Sequence, residues 1–376
     1  MDINIDRLIN EFCALVSLDS PSYGERKTCD YIKRRLGEMG VVVSEDNAGA
    51  GHINGCGNLY GYLKGEEALG EPLLFCAHMD TVEPSAGKRA VIAENGRITS
   101  GGNTVLGADD ISGITAILEA LRVVTENKIR HRPIEVLFTA AEEVYCGGAV
   151  QFDFSQIRSR QAYVLDLSGP IGSAAYSAPS IVFFTAKITG KAAHAGFEPE
   201  NGVHAIAAAA DAIGKMTLGH IDDTTTLNIG IINGGRATNI VPDECTVRGE
   251  VRSLSHQKAL DLVEMVNKQF IQSADLFGAS LLFNAVTGCK AYETSLDLPV
   301  AKRFSHTCKA MGLENTMLKT MGGSDNNYLA ENEISGLVIA SGMHACHTCE
   351  EYTTTDELVQ SARLAASLMI AQDEEI

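Results

Sequence analysis

Four apolar runs in this chain of 376 residues each end in, or just short of, a carboxylate or an imidazole. PLLFCA (72–77) precedes His78 and Asp80, and IEVLFTA (134–140) precedes Glu142 and Glu143. AYVL (162–165) precedes Asp166, and GLVIA (336–340) comes shortly before His344 and His347. A fifth piece, Gly107-Ala108-Asp109-Asp110, opens a helical stretch. Imidazole and carboxylate together are the donor set of a hydrolytic divalent-metal site, and two adjacent ions need a carboxylate that can bridge them. In an open α/β sheet, chemistry gathers at the carboxyl ends of the strands, which is where short apolar runs stopping at such residues would deliver them.

Each piece has a plainer explanation, and only their coincidence is informative. His78 and Asp80 in a strand point to one face, so the carboxylate can accept the second imidazole N–H and fix the tautomer; the plain alternative is a polar loop. Asp109, in a glycine-bounded turn entering a helix, could bridge two metals or simply cap the helix, and Asp110 beside it suits capping or support. Glu142 and Glu143 offer two adjacent carboxylates, one to ligate and one to stay free as a general base. The buried run before them argues against a merely exposed pair. Asp166 could be an ordinary turn aspartate. Cys346 and Cys349 frame His347 with Cys-x-x-Cys spacing, but a structural zinc knuckle needs a second pair, and none stands at a suitable spacing. The cysteines are therefore set aside and the histidine kept as the donor.

The elements that must hold these residues follow from periodicity. Ile5, Leu8, Ile9, Phe12, Leu15 and Val16 have helical spacing; Pro21–Gly24 breaks it; residues 25–39 form a second helix. Residues 110–124 put Ile111, Ile114, Ile117, Leu118 and Leu121 on one face of a buried amphipathic helix, with Asp109 and Asp110 at the end whose dipole favours anions. Near residue 181 the pattern changes to half-buried alternating strands, and strand-helix-strand-strand-helix-strand up to about residue 289 is the order of a ferredoxin-like sandwich. Helix and strand then alternate again to residue 371. The expected fold is α/β, a larger discontinuous domain (1–180 and 290–376) carrying an inserted α+β domain (181–289).

Composition narrows the partners. A net charge of −18 argues against nucleic acid and anionic membrane surfaces. No apolar run reaches the ~18 residues of a membrane span. The amino end, MDINIDRLINEF, has neither a basic n-region nor an apolar h-region, so the expected location is cytoplasmic, with the ten cysteines as reduced thiols.

Taken in order, His78-Met79-Asp80, Gly107-Ala108-Asp109-Asp110, Glu142-Glu143, Asp166 and His347-x-x-x-Glu351 resemble the peptidase T, carboxypeptidase G and aminoacylase family of co-catalytic zinc exopeptidases, and within it the peptidase T-like branch. The resemblance spans essentially the whole chain, including Ser20–Glu25 and the inserted domain. It implies a zinc-exopeptidase-type α/β catalytic domain with a ferredoxin-like lid or dimerisation domain. It also implies two zinc ions, replaceable by cobalt or manganese: His78, Asp109 and Asp166 on one, Asp109, Glu143 and His347 on the other. Asp80 would orient His78, and Glu142 would be the general base toward metal-activated water. His344 is a rival to His347, but the family spacing of histidine and glutamate falls on His347 and Glu351. In the inserted domain His194 matches a lid histidine that supports the oxyanion, Asn239 a substrate-binding asparagine, and Arg252 a position that holds a substrate carboxylate. Gly323, Ser324 and Asp325 resemble a loop lining the site.

Two departures bear on specificity. Relatives often carry lysine where this chain has Ile111, and peptidase T has an arginine that Lys319-Thr320-Met321 lacks. The implied activity is hydrolysis of short peptides in the manner of a tripeptide aminopeptidase, with a homodimer through the lid. The alternatives are a related deacylase of N-acyl amino acids and a non-catalytic metal-binding protein.

Overall fold

The computed structural model describes residues 2–371. The chain forms two compact units. One is built from the residues up to Tyr176, from Glu293–Lys319 and from Ser324 onward; the other from Ser177–Tyr292 and Thr320–Gly323.

The larger unit is organised on a nine-stranded sheet. At its centre Ile134–Thr139, Leu73–His78, Gln161–Ser168 and Ser335–Met343 lie side by side and parallel. Register brings Leu73 opposite Ile134, His78 opposite Thr139, Leu74 opposite Ala162 and Leu337 opposite Tyr163. Leu73–His78 and Ile134–Thr139 are buried at every position, as a parallel sheet covered on both faces requires. That is why these strands read as continuous apolar runs and why their carboxyl ends fall in one row. Val42–Glu45 and Leu59–Leu63 extend the sheet antiparallel on one side.

The helix Ala108–Glu126 is buried as expected, and on more than its apolar face. Nearly all of its residues are buried, because it is enclosed by the sheet and by the helices Ile5–Val16 and Thr355–Ile370. Beyond the aspartates at its start, it buries Glu119 completely, held by Arg7, whose Nε and Nη2 each donate at 2.8 Å, and by the amide of Asn4 at 3.1 Å. A buried carboxylate is tolerated only when paired and hydrogen-bonded in this way.

The second unit is a five-stranded antiparallel sheet in the order Gly219–Asp222, Thr225–Gly234, Glu244–Ser253, Ser180–Thr189, Ser280–Cys289. Helices Ala205–Gly214 and His256–Phe277 pack against it. Without the first strand this is the ferredoxin-like arrangement. The short strand Gly219–Asp222 was not expected, since it is mostly exposed and has no apolar alternation to mark it. Among the described residues no helix is long and apolar enough to cross a membrane.

Replacing Arg7 with alanine would strand the buried Glu119 charge, and a loss of about 3 kcal/mol is expected in denaturant unfolding. Arg130→Ala, which removes an exposed partner of Glu66, should leave unfolding in the same assay nearly unchanged, because solvent screens that pair.

Candidate metal centre

The parallel strands deliver their terminal residues to one place. His78 is the last residue of its strand, Asp166 lies near the end of its own, Glu142 and Glu143 follow Ile134–Thr139, and His347 follows Ser335–Met343. Asp109 comes from the start of the buried helix. Gly107 before it has φ +77°, and a Cβ there would stand 2.8 Å from Thr81 and 3.0 Å from Lys88, so glycine answers both the turn and the space. Asp109 and Asp110 have non-helical dihedrals, and the peptide between them is cis.

Asp109 lies between two imidazoles. Its Oδ1 is 3.0 Å from His78 Nε2 and its Oδ2 is 3.3 Å from His347 Nε2. His78 Nε2 is also 3.9 Å from Asp166 Oδ1, and His347 Nε2 is 3.0 Å from Glu143 Oε2. Two three-residue groups result, His78–Asp109–Asp166 and Asp109–Glu143–His347, each with donor atoms within 4.8 Å of one another, and Asp109 belongs to both. His344 is turned away: its Nε2 meets Glu357 at 2.6 Å and its ring stacks on Tyr352. Cys346 instead lies 3.2 Å from the Ser168 hydroxyl, Cys349 is exposed, and neither thiol belongs to the two groups.

A set of carboxylates behind the site holds backbone amides. Asp80 accepts from the amides of Glu142 (2.8 Å) and Glu143 (3.1 Å) and from the Ser22 hydroxyl (2.6 Å). Its Oδ1 is 3.4 Å from His78 Nδ1, and its own carbonyl oxygen is nearer, at 3.0 Å. Asp80 therefore braces the glutamate pair as much as it faces the imidazole. Glu25 accepts from the amide of Ala141 (2.9 Å), so three successive amides leading into the pair are fixed by two buried carboxylates. Glu25 stood in the quoted Ser20–Glu25 segment, but no local pattern marked this role, because its partner lies 116 residues away. Asp110 accepts from the amides of His78 (3.2 Å) and Gly113 (3.1 Å).

The remaining candidates have other surroundings. Asp325 is buried, and one oxygen accepts from the Thr139 hydroxyl. It also forms a third grouping with Glu142 and Cys146, whose thiol lies 3.5 Å from Glu142 Oε1. Ser324 caps the helix Asp325–Glu331 in a reciprocal capping box with Asn327. Gly323 belongs to the second unit, as do His194, Asn239 and Arg252. There the His194 and Asn239 segments are joined, Ala195 donating its amide to the Asn239 carbonyl at 3.0 Å. His194 Nδ1 accepts from the amides of Gly196 and Phe197. The Arg252 guanidinium donates to Glu250 (2.7 Å) and to the Met321 carbonyl (3.0 Å).

The electrostatics are those of a site built around cations. Burial opposes an imidazolium at His78, but its bonds to Asp109 and Asp80 prevail and raise its pKa well above the ordinary value. His347 is pushed up to about 10 by its hydrogen bonds to Asp109 and Glu143. Burial would raise Asp109, but the two histidines hold it below the usual carboxylate range. Asp166 is pushed well up by burial and then by Asp109, and Glu142 by burial and then by Asp166. Glu143 Oε1 is buried without a hydrogen-bond partner. Crowded acids, an unsatisfied buried oxygen and a carboxylate shared by two imidazoles fit a pair of divalent cations as the missing countercharge.

Comparison with known proteins agrees. The peptidase dimerisation domain family matches residues 176–275, and peptidase family M28 matches residues 58–216. A crystal structure of a tripeptidase from Staphylococcus aureus superposes with a TM-score of 0.93 at 31% identity, covering 98% of each chain. The aminopeptidase PepT of Bacillus cereus does so with a TM-score of 0.89 at 36% identity, again over 98% of each. The uncharacterized protein YqjE of Bacillus subtilis is 37% identical over 98% of both chains. Fold, donor set and relatives define a metallo-exopeptidase, a hydrolase of peptide bonds. The chain belongs to the peptidase T-like branch of the peptidase T, carboxypeptidase G and aminoacylase family.

With its pKa raised to about 10 in the metal-free protein, His347 holds a proton that an incoming cation must displace, and the upward shift of His78 acts in the same direction. Apparent affinity for a divalent cation should therefore rise as pH goes from about 6 toward about 10, with protons released on binding. Calorimetry in buffers of different ionisation enthalpy measures the release; a pH-independent affinity would contradict the assignment. The same linkage makes the His347 contribution to metal-free stability complete below its unfolded pKa and lost as pH passes about 10.

Proposed function

We propose that this chain is a di-zinc exopeptidase that releases the amino-terminal residue of short peptides, tripeptides among them. The observation that carries it is Asp109, with one oxygen toward His78 and the other toward His347. Support for peptide rather than other amide substrates comes from relatives described as a tripeptidase and an aminopeptidase that align along 98% of the chain.

His78, Asp109 and Asp166 would hold one zinc ion, and Asp109, Glu143 and His347 the other, with cobalt or manganese able to substitute. When bound, the ions polarise the scissile carbonyl and acidify water. Glu142 takes the proton of the attacking water and returns it to the leaving amine. Burial and then Asp166 push its carboxyl well above the ordinary carboxylate range, which makes it a stronger base than an exposed glutamate. Asp80 keeps the Glu142 and Glu143 backbones fixed, so that base and ligand hold their separate positions on adjacent residues. His194 is assigned to the oxyanion and Asn239 to substrate binding, a pairing supported by their joined segments in the second unit. A homodimer through that unit is part of the proposal, supported by its match to the dimerisation domain family. A cytoplasmic location is likewise proposed, supported by ten cysteines all present as free thiols.

The test is zinc-reconstituted protein assayed on dipeptides, tripeptides and N-acyl amino acids, with Glu142→Ala alongside. Amine release from the peptide amino end is expected, and the variant should lose about a hundredfold to ten-thousandfold in kcat while keeping both metals. An active Glu142→Ala would overturn the base assignment, and turnover of N-acyl amino acids alone would overturn the substrate class. Chelation should abolish the activity, and re-addition of zinc should restore it.

A further inference from the structure

We infer that Glu351 is a positioning residue for the shared carboxylate: from the turn that presents His347, it fixes the backbone on both sides of Ala108 and so holds Asp109 where both metal groups need it. The inference rests on the metal assignment above and concerns a residue that neither binds a metal in that scheme nor touches a reacting atom.

Glu351 is only 1% exposed, and both its oxygens are committed. Oε2 accepts from the amide of Gly107 at 2.6 Å, and Oε1 from the amide of Asp109 at 2.9 Å. The first amides of a helix have no partner within the helix, and a side chain at the N-cap usually satisfies them. Here the N-cap is Gly107, which has no side chain and makes no such bond. The cap is supplied instead by a carboxylate 244 residues further along the chain. That carboxylate follows His347 by four residues, at the end of a turn closed by the Glu351 amide donating to Thr348 O at 3.2 Å. Fixing Asp109 and presenting His347 are thus one device, consistent with Asp109 Oδ2 lying 3.3 Å from His347 Nε2.

A buried lysine borders the same turn. Lys88 is 2% exposed, its Nζ donates to the Leu18 carbonyl and to Ser20 Oγ, and its Cε borders the space beside Gly107. Burial lowers its pKa to about 8 against the pull of Asp19, Glu351 and Glu83, and burial raises that of Glu351 to about 7, so what Glu351 offers the turn is two hydrogen-bond acceptors.

Three variants, Glu351→Gln, Glu351→Asp and Asp109→Asn, test this, each titrated with zinc alone against a chromophoric chelator and each unfolded in the metal-free state. Glu351→Gln keeps the volume but sets an amide –NH2 against one of the two N–H donors. Glu351→Asp keeps the charge but is too short to reach both. Because Asp109 belongs to both groups, affinity for both zinc ions should fall at least about tenfold in Glu351→Gln and by less in Glu351→Asp. Wild-type affinity for both ions in either folded variant overturns the inference, and so does a variant whose only defect is lower metal-free stability. If Glu351→Gln does not fold, Glu351→Asp decides. Asp109→Asn separates the two levels. Should it too keep both zinc ions, the metal assignment has failed; should it lose them while the Glu351 variants do not, only the positioning role has.

Discussion

One carboxylate between two imidazoles organises this molecule. Asp109 can serve both histidines only if His78, at the end of one strand, and His347, beyond the end of another, approach it from opposite sides. That condition fixes the order of the central strands, the entry of the buried helix between them, and the glycine that turns the chain into it. Around it stand more acidic groups than the two histidines can neutralise, so the fold concentrates negative charge at considerable electrostatic cost. The cost is offset when cations bind, and binding and stability are therefore coupled.

The acids fall into two tiers with different duties. Asp109, Glu143 and Asp166 face inward with oxygen atoms available to a cation. Asp80, Glu25, Asp110 and Glu351 face the polypeptide and accept its N–H groups. The second tier turns flexible strand-end loops into fixed mounts, since a carboxylate accepting two or three amides sets the backbone much as a short stretch of sheet would. Several loop residues near the centre have positive φ, Ala141, Tyr145, Cys146, Ala345 and His347 among them, and such a backbone keeps its shape only where surroundings over-determine it.

Much of this was legible in the chain itself. Glu143 and Asp166 announce themselves because each follows an apolar run, as a strand buried on both sheet faces must be written, and Asp109 because it stands in a glycine-bounded turn entering a helix. The ferredoxin-like order of the second unit was readable from its alternation. What stayed hidden was non-local. Nothing near Glu25 or Glu351 betrays that its partners are amides more than a hundred residues distant. The Ala108–Glu126 helix showed its apolar face but not the extent of its enclosure, because its small residues and the Glu119 that Arg7 neutralises carry little hydrophobic signal. Asp325 was read as part of a loop lining the site, and only the three-dimensional packing reveals that its carboxylate is buried against Thr139 and grouped with Glu142 and Cys146.

The strand Ser335–Met343 occupies the interior of the large sheet, between Gln161–Ser168 and Ser173–Ala178, yet it is made only after the whole of the second unit. On the ribosome, the first half of the sheet must wait with an open, unpaired flank while the whole of the second unit emerges and closes on itself. An exposed β-edge of that kind is a hazard for pairing with other chains. The centre is thus assembled only after both units have been made, and no truncated product that stops short of residue 335 can hold the complete set of donors.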